Sequence, residues 1–413
     1  MIDRQQAEQL ATIWAGRESQ RLGHECIPLV EEFDLGYVIW YSVPRGLPMR
    51  PGDLPNTVID RETGEVTHWP RVPADVIAQT YRQRRPDRPT PRTVDPAAQL
   101  LRELHRSSTP GTTAHLTIGG RTYVARGAKG DIALNHHPLV QGYLDSVPTG
   151  RLVRGVDRHA ELIVISDALH DQDHRRESEG LHPLDFEEQL GLLNSARLEV
   201  FRIREPGDPA GGRADEVCDS CATALSRMRL LPWYDTVWGV SEWRPQPQPQ
   251  SVPDPYRFPP DVAHALVAAG WGRMDLVEEI VPAAIEETLG IGTGTHRHQA
   301  FPAAEAALRS FLSLFSKRRG PGEEVWINRF TLSPLRGAHS AATLADFGSV
   351  LGMRLFPIGA ERPPESILAV DELGRVFALD QAGEWFLGAD IDAALTTLLL
   401  GRAPVRVRDD GTW

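Results

Sequence analysis

Cysteine is scarce in this chain, with three among 413 residues. So few thiols exclude a disulfide framework and are typical of proteins that fold in a reducing compartment. No apolar run reaches the roughly 18 residues that indicate a membrane-spanning helix. The first residues also lack the basic-then-apolar order of a secretion signal. We therefore expect a cytoplasmic protein with no membrane partner.

Positive charge is also in short supply, because 44 Lys and Arg face 56 Asp and Glu and give a formal net charge of −12. A chain that binds nucleic acid along its whole surface needs an excess of cations, so this balance excludes that class of protein. The length suggests two or three domains.

Two proline-rich stretches predict where the chain divides. Residues 85–94 contain three prolines, and residues 243–260 contain seven together with glutamines. Such compositions are typical of extended linkers, so we expect mobile boundaries between separately folded pieces. The predicted arrangement is a domain at 1–85, a linker at 86–95, a domain at 96–240, a linker at 243–260 and a domain at 261–413.

The second region contains two short motifs rich in metal-binding side chains. His159-Ala-Glu161 begins an apolar run, and Cys218-Asp-Ser-Cys221 follows later in the chain. A Cys-x-x-Cys pair at a helix start places both sulfurs on one face, and the helix N-terminus favours thiolates. We predict that His159, Cys218 and Cys221 hold one Zn²⁺, which leaves the fourth tetrahedral position for water.

Glu161 is the predicted catalytic residue, because it lies two residues from His159 and can move a proton without binding the metal. Taken singly, each motif has other readings. The Cys pair also suits a redox centre or half of a structural zinc site, and His-x-Glu also suits a polar helix start. Cys26 is most simply a buried thiol.

The surrounding pattern supports the zinc interpretation. A helix is predicted from residue 160, a strand over residues 196–203 and a helix after Cys221, while Gly119-Gly120 predicts a hairpin upstream. This order and the His-x-Glu and Cys-x-x-Cys motifs resemble the cytidine-deaminase-like fold, most closely the YwqJ-type nucleic acid and nucleotide deaminases of bacterial polymorphic toxins. The resemblance implies a zinc-dependent deaminase, although Val217 stands where the signature has proline.

The substrate is less well defined. Asn135 and His136 are candidate substrate-binding residues, with a turn and helix cap as the alternative reading. Residues 96–235 contain 16 basic and 20 acidic residues, and a groove for long single strands is normally basic and aromatic. We therefore favour a small nucleobase-containing substrate over nucleic acid. A local patch of Arg151, Arg154 and Arg158 is the candidate for charge recognition. A charged stretch after the first motif helix, residues 171–180, is predicted to be a solvated loop.

The outer regions are predicted to be α+β domains. The segments GYVIWYSVP and NTVIDRETGEVTHWP resemble YrhB-like immunity domains, and LFPIGA and ILAVDELGRVFAL resemble the SUKH superfamily of immunity proteins. These resemblances imply binding modules with a toxin protein as a possible partner. In the third region we also predict a strand over residues 324–328 and a closing helix over 391–400.

Together these patterns predict a multi-domain α+β and α/β protein, in which a central cytidine-deaminase-like α/β/α domain lies between two α+β domains. The expected function is zinc-dependent hydrolytic deamination of a nucleobase, nucleoside, nucleotide or nucleic-acid base. The alternative is a non-enzymatic immunity protein that binds and neutralises toxins. The intact set of three ligands and Glu161 argues for the enzyme, since a binding scaffold has no need of a proton carrier.

Overall fold

The computed structural model describes most of the chain. The described residues are 2–22, 25–42, 56–64, 66–69, 73–84, 109–131, 134–231, 252–272, 277–293, 296–362 and 366–413. Within them the chain forms eleven α-helices and four β-sheets, a multi-domain α+β architecture. The predicted linker at 86–95 and residues 243–251 of the second linker lie outside this part.

The first region is an antiparallel sheet covered by a helix on each face. Helix α1 (Arg4–Leu22) contacts one face, where Trp14 packs edge-on against Tyr41, and helix α2 (Ala74–Arg84) buries Ile77 on the other. The strands are β1 (Ile27–Phe33), β2 (Gly36–Ser42), β3 (Asn56–Asp60) and β4 (Val66–Trp69), in that order across the sheet. Because each face is apolar, each needs its own helix, so the predicted α+β character of this region is confirmed.

The second region is built on a four-stranded antiparallel sheet in the order β6-β5-β7-β8. Its elements are β5 (Gly111–Ile118), β6 (Arg121–Arg126), α3 (Pro138–Ser146), α4 (Ala160–Ser178), α5 (Phe186–Asn194), β7 (Arg197–Ile203), β8 (Gly212–Arg213) and α6 (Asp219–Arg227). Helix α4 packs on β5 and β6 and buries Leu162, Ile165 and Leu169. The hairpin, the strand and both motif helices are therefore present where the sequence predicts them.

Helix α4 is longer than predicted, because it continues to Ser178. The expectation of a solvated loop over residues 171–180 is therefore wrong for residues 171–178. Asp171 is buried and accepts a hydrogen bond from the Tyr123 hydroxyl at 2.8 Å. Asp173 bonds His137 at 3.0 Å. Because buried partners satisfy these carboxylates, the charged sequence continues the helix instead of breaking it.

The third region contains a seven-stranded antiparallel sheet with strands in chain order from β11 to β17. Its elements are α7 (Pro260–Ala268), α8 (Val277–Gly290), the small pair β9 (Gly292–Thr293) and β10 (His296–Arg297), α9 (Pro302–Phe311), β11 (Phe315–Ser316), β12 (Arg329–Thr331), α10 (Ala341–Leu351), β13 (Leu355–Arg362), β14 (Ser366–Asp371), β15 (Val376–Asp380), β16 (Gly383–Gly388), α11 (Ile391–Leu400) and β17 (Val405–Arg406). The closing helix over 391–400 is confirmed.

The strand predicted over residues 324–328 is wrong. This segment runs along the second region: the Gly150 N–H donates to the Glu324 carbonyl at 3.0 Å, and the Trp326 N–H donates to the Leu152 carbonyl at 2.8 Å. The Trp326 side chain is buried in the core of the second region. The apolar residues that indicate a strand therefore face another domain and not a sheet of their own.

Buried polar contacts join the second and third regions. Arg154 is 7% exposed and donates to Glu361 at 3.0 Å, to Asp380 at 3.1 Å and to Ser366 at 3.0 Å. A carboxylate of the second region, Glu205, accepts from two backbone N–H groups at the start of α10. Separating these two regions would leave buried charges without partners, so these contacts hold the regions together. The mobile boundary at 243–260 stays a prediction.

Candidate active site

The two motifs of the second region meet at the starts of two helices. His159 is the N-cap of α4, and Cys218 is the N-cap of α6 with Cys221 one turn later. All three side chains are buried. The His159 Nδ1 atom lies 3.4 Å from the sulfur of Cys218 and 3.4 Å from that of Cys221. Their donor atoms all lie within 4.8 Å of one another, so this group can hold a metal ion.

The spacing of this group fits zinc. Tetrahedral zinc, with bonds of about 2.3 Å to sulfur and about 2.0 Å to nitrogen, separates an S and an N ligand by about 3.5 Å. The observed distances of 3.4 Å agree with that value. The Cys221 N–H also donates to the Cys218 sulfur at 3.4 Å, which supports a thiolate there. One imidazole and two thiols are a donor set that zinc favours.

The charges of the metal-free group favour ligation. Burial alone disfavours charge, but the hydrogen bond from Cys221 and the neighbouring His159 lower the pKa of the Cys218 thiol to about 5. Burial likewise lowers the pKa of His159, yet the Cys218 thiolate outweighs it and raises that pKa to about 9. Burial and the nearby thiolate raise the pKa of Cys221. A lowered pKa of Cys218 favours the thiolate form that zinc ligation needs.

Glu161 lies beside this group at the edge of a small cavity. The side chain is 2% exposed, and burial raises its pKa. Among the described residues, its Oε2 atom has no hydrogen-bond partner. The cavity measures about 30 Å³ and is lined by Gly111, Thr112, Glu161, Val200, Arg202, Arg204, Ala214, Glu216, Val217, Cys218 and Gln381. An unpaired carboxylate oxygen beside a metal-binding group is the arrangement that a proton carrier needs.

The structure does not bring the predicted substrate residues to this cavity. His136 bonds the carbonyl of Asp157 at 2.6 Å and lines a separate surface cavity. The backbone carbonyl of Asn135 bonds His170 at 3.3 Å. The neighbouring His137 caps α3 through its ring nitrogen, as in the alternative reading of this segment. A substrate role for Asn135 and His136 stays a prediction that this geometry does not favour.

The predicted arginine patch is also divided. Arg151 is exposed, but Arg154 is buried in the ion pairs with the third region. Arg158 is half-buried and donates to the backbone carbonyls of Ala128 and Gly130. These contacts give Arg154 and Arg158 structural roles, so the patch as predicted is wrong.

The cavity contains residues that sequence reasoning missed. Arg202, at the end of β7, and Arg204 beyond it line the cavity, and the alternation of that strand beside the cysteine motif was a usable signal for both. Gln381 comes from the third region, and no local pattern marks it. Asp219, between the two cysteines, accepts from Arg319 at 2.8 Å and from the Trp326 indole at 2.9 Å. The third region thus contacts both motifs.

Together the donor group, Glu161 and the order of their helices define a deaminase-type site in a multi-domain chain. Comparison with family models gives the same class and specifies it. An Immunity protein 35-like domain matches residues 5–88, a YwqJ-like deaminase matches 98–230, and a SUKH-3 immunity protein matches 258–401. The chain therefore combines a YwqJ-like deaminase domain with an immunity domain on each side, which confirms the predicted arrangement of families.

Other comparisons add no relatives. Neither the curated proteins nor the solved structures contain a significant match to the chain. Among the described residues, none of the helices combines the length and the apolar character needed to cross a bilayer.

Proposed function

We propose that the second region is a zinc-dependent hydrolytic deaminase that acts on a nucleobase. The observation that carries the proposal is the convergence of His159, Cys218 and Cys221 next to the unpaired, buried Oε2 of Glu161. The family match supports the reaction class. In this proposal the three ligands bind Zn²⁺, Glu161 is catalytic, and the domain has the cytidine-deaminase-like α/β/α fold. The domain limits remain those proposed from the sequence, including 96–240 and 261–413.

The residues divide the chemistry between them. When bound, zinc supplies an activated water by lowering its pKa to about 7. His159 and the two cysteines fix the position of the metal because all three are buried on rigid helix starts. Glu161 takes one proton from the attacking water and delivers it to the ring nitrogen as the C–O bond forms. It then takes the second proton, from the new hydroxyl, and delivers it to the amine, which leaves as ammonia when the C–N bond breaks. Its raised pKa suits this exchange, because a carboxyl that titrates nearer neutrality both accepts and donates.

Metal analysis tests the zinc site directly. We expect about one equivalent of zinc per chain, and we expect the double variant Cys218→Ser/Cys221→Ser to lose it, because serine oxygens are poor zinc ligands. Cys26→Ser is the matched control, since Cys26 is buried in the first region and should leave the zinc content unchanged. Full zinc retention by the double variant would show that the metal, if any, is bound elsewhere.

The cavity lining indicates a substrate that carries phosphate. Arg202 and Arg204 line the same cavity as Glu161, together with the acidic Glu216. We expect Arg202→Gln and Arg204→Gln to raise KM for a nucleotide about tenfold while changing KM for the nucleoside little, because an arginine–phosphate contact is charge-assisted. Arg197→Gln, an exposed change on the same strand, is the control. Equal effects on nucleotide and nucleoside would show that these arginines do not recognise phosphate.

A second function, capture of a toxin protein, is favoured by the two immunity domains that flank the deaminase. In this alternative the chain is a non-enzymatic immunity protein and the central domain is a scaffold. Ammonia release from cytosine, adenine and guanine compounds, offered as bases, nucleosides, nucleotides and single strands, separates the two proposals. Zinc-loaded protein that releases none while binding a toxin domain would favour the scaffold.

A further inference from the structure

The turn between β15 and β16 of the third region reaches into the catalytic cavity. Gln381, in this turn, is 5% exposed and lines the cavity together with Glu161 and Cys218. Its side-chain oxygen accepts a hydrogen bond from the Ala160 N–H at 3.2 Å, at the start of α4. Its side chain is also close enough to the Glu161 carboxylate to lower the pKa of that group, against the larger effect of burial. One side chain of the third region is therefore bonded to Ala160 and lies beside Glu161 in the catalytic motif.

The turn is closely fitted to the second region. A Cβ atom on Gly127 would lie 2.5 Å from the Gln381 carbonyl oxygen, and one on Gly155 would lie 2.8 Å from the Ala382 side chain. Only glycine allows such an approach of two backbones, so these two positions accommodate the turn. Asp380 anchors it from behind, because it accepts from the Ala382 N–H at 2.9 Å and from buried Arg154 at 3.1 Å.

The cavity that remains is small. Its volume of about 30 Å³ has room for about two water molecules, since one needs roughly 10–15 Å³. Pockets that bind small organic ligands normally measure at least about 300 Å³. The cavity therefore has room for water next to Glu161 but none for a nucleobase ring.

We propose that the SUKH-3 region closes the deaminase site of its own chain, with Gln381 in the space that the nucleobase needs. The effect of closure on activity rests on the proposed deaminase function, but the closure itself can be measured without the reaction. The turn at residues 380–382 occupies the deaminase cavity. The buried Arg154–Asp380 ion pair holds the two regions together. The chain is then an enzyme restrained by its own immunity domain.

Thiol accessibility tests the closure. In the zinc-free full-length chain carrying Cys26→Ser, Cys218 and Cys221 are the remaining thiols. We expect a neutral aromatic disulfide reagent to modify them about tenfold faster in Gln381→Ala, because the buried hydrogen bond to the Ala160 N–H is lost and the cavity opens. Gln299→Ala is the matched control, since Gln299 is an exposed glutamine of the same region bonded to Arg354. Equal modification rates in Gln381→Ala and the control would overturn the proposal.

Activity separates this proposal from the proposed function. We expect Gln381→Ala to raise kcat/KM for deamination about tenfold over the zinc-loaded wild type, because loss of a hydrogen bond from the turn opens the cavity. A lower kcat/KM would overturn closure and make Gln381 a positioning residue for Glu161. Faster thiol modification with no ammonia from any variant would support closure and refute the deaminase. Gln381→Ser repeats both measurements if the alanine variant does not fold.

Discussion

Replacing Glu161 with glutamine is expected to lower ammonia release about 10²–10⁴-fold, the usual value of general acid–base assistance. Glutamine keeps the size of the side chain but cannot take up or deliver the proton. Zinc content should stay at about one equivalent, because Glu161 is not one of the three ligands. The measurement is ammonia release by zinc-loaded protein, preferably in the Gln381→Ala background, where the cavity is expected to be open.

A matched control for this prediction is Glu179→Gln, an exposed change at the C-terminal end of the same helix. It should leave both activity and zinc unchanged. If Glu161→Gln retained wild-type activity, the proton carrier would be another residue, and Glu216 at the same cavity would be the next candidate. If Glu161→Gln lost zinc as well, the assignment of ligand and catalytic roles would be wrong.

Arg154→Met is expected to lower the free energy of unfolding by about 3–5 kcal/mol, the cost of removing one partner of a buried ion pair. Methionine fills much of the same space, but it leaves Glu361 and Asp380 buried without their cation; both are 2% exposed or less. The loss should appear in urea unfolding of the full-length chain as an earlier transition of the second and third regions together. Arg151→Met, an exposed change three residues earlier, is the control and should cost little.

The same variant tests how the two regions are coupled. Because Asp380 precedes Gln381 in the turn, loss of the Arg154 contact should also loosen the turn and speed thiol modification of Cys218 and Cys221. A stability loss below about 1 kcal/mol, typical of a solvated ion pair, would show that the contact is not buried in solution.

The local pattern was sufficient to predict the metal-binding group. His159 and Cys218 cap helices, and Cys221 follows one turn after Cys218. Spacing along one helix determines which side chains share a face, so the pairing of Cys218 with Cys221 can be predicted from their positions in the sequence. The hairpin at Gly119-Gly120 and the closing helix over 391–400 are equally local, because turn residues and apolar periodicity indicate them directly.

The wrong predictions concern segments whose contacts are distant in the sequence. Arg154 looked like a free cation, residues 324–328 looked like a strand, and residues 171–178 looked like a solvated loop. Each of these segments is satisfied by a partner far away in the chain: Arg154 by Glu361 and Asp380, and the Glu324 carbonyl and Trp326 N–H by the backbone of residues 150 and 152. A buried charge or an apolar segment shows that some partner is needed, but not which one.

Sequence by itself therefore determined the candidate ligands and the proposed proton carrier, because His-x-Glu and Cys-x-x-Cys are short motifs, and the families of the three regions followed from the resemblance of short segments. Only the tertiary structure decided that the second and third regions share one interface and that Gln381 lies in the catalytic cavity. The physical reason is that two surfaces pair through shape, as at Gly127, and through desolvated charge, as at Arg154. Neither shape complementarity nor desolvated charge repeats at a regular interval along the chain, so neither can be predicted from the sequence pattern.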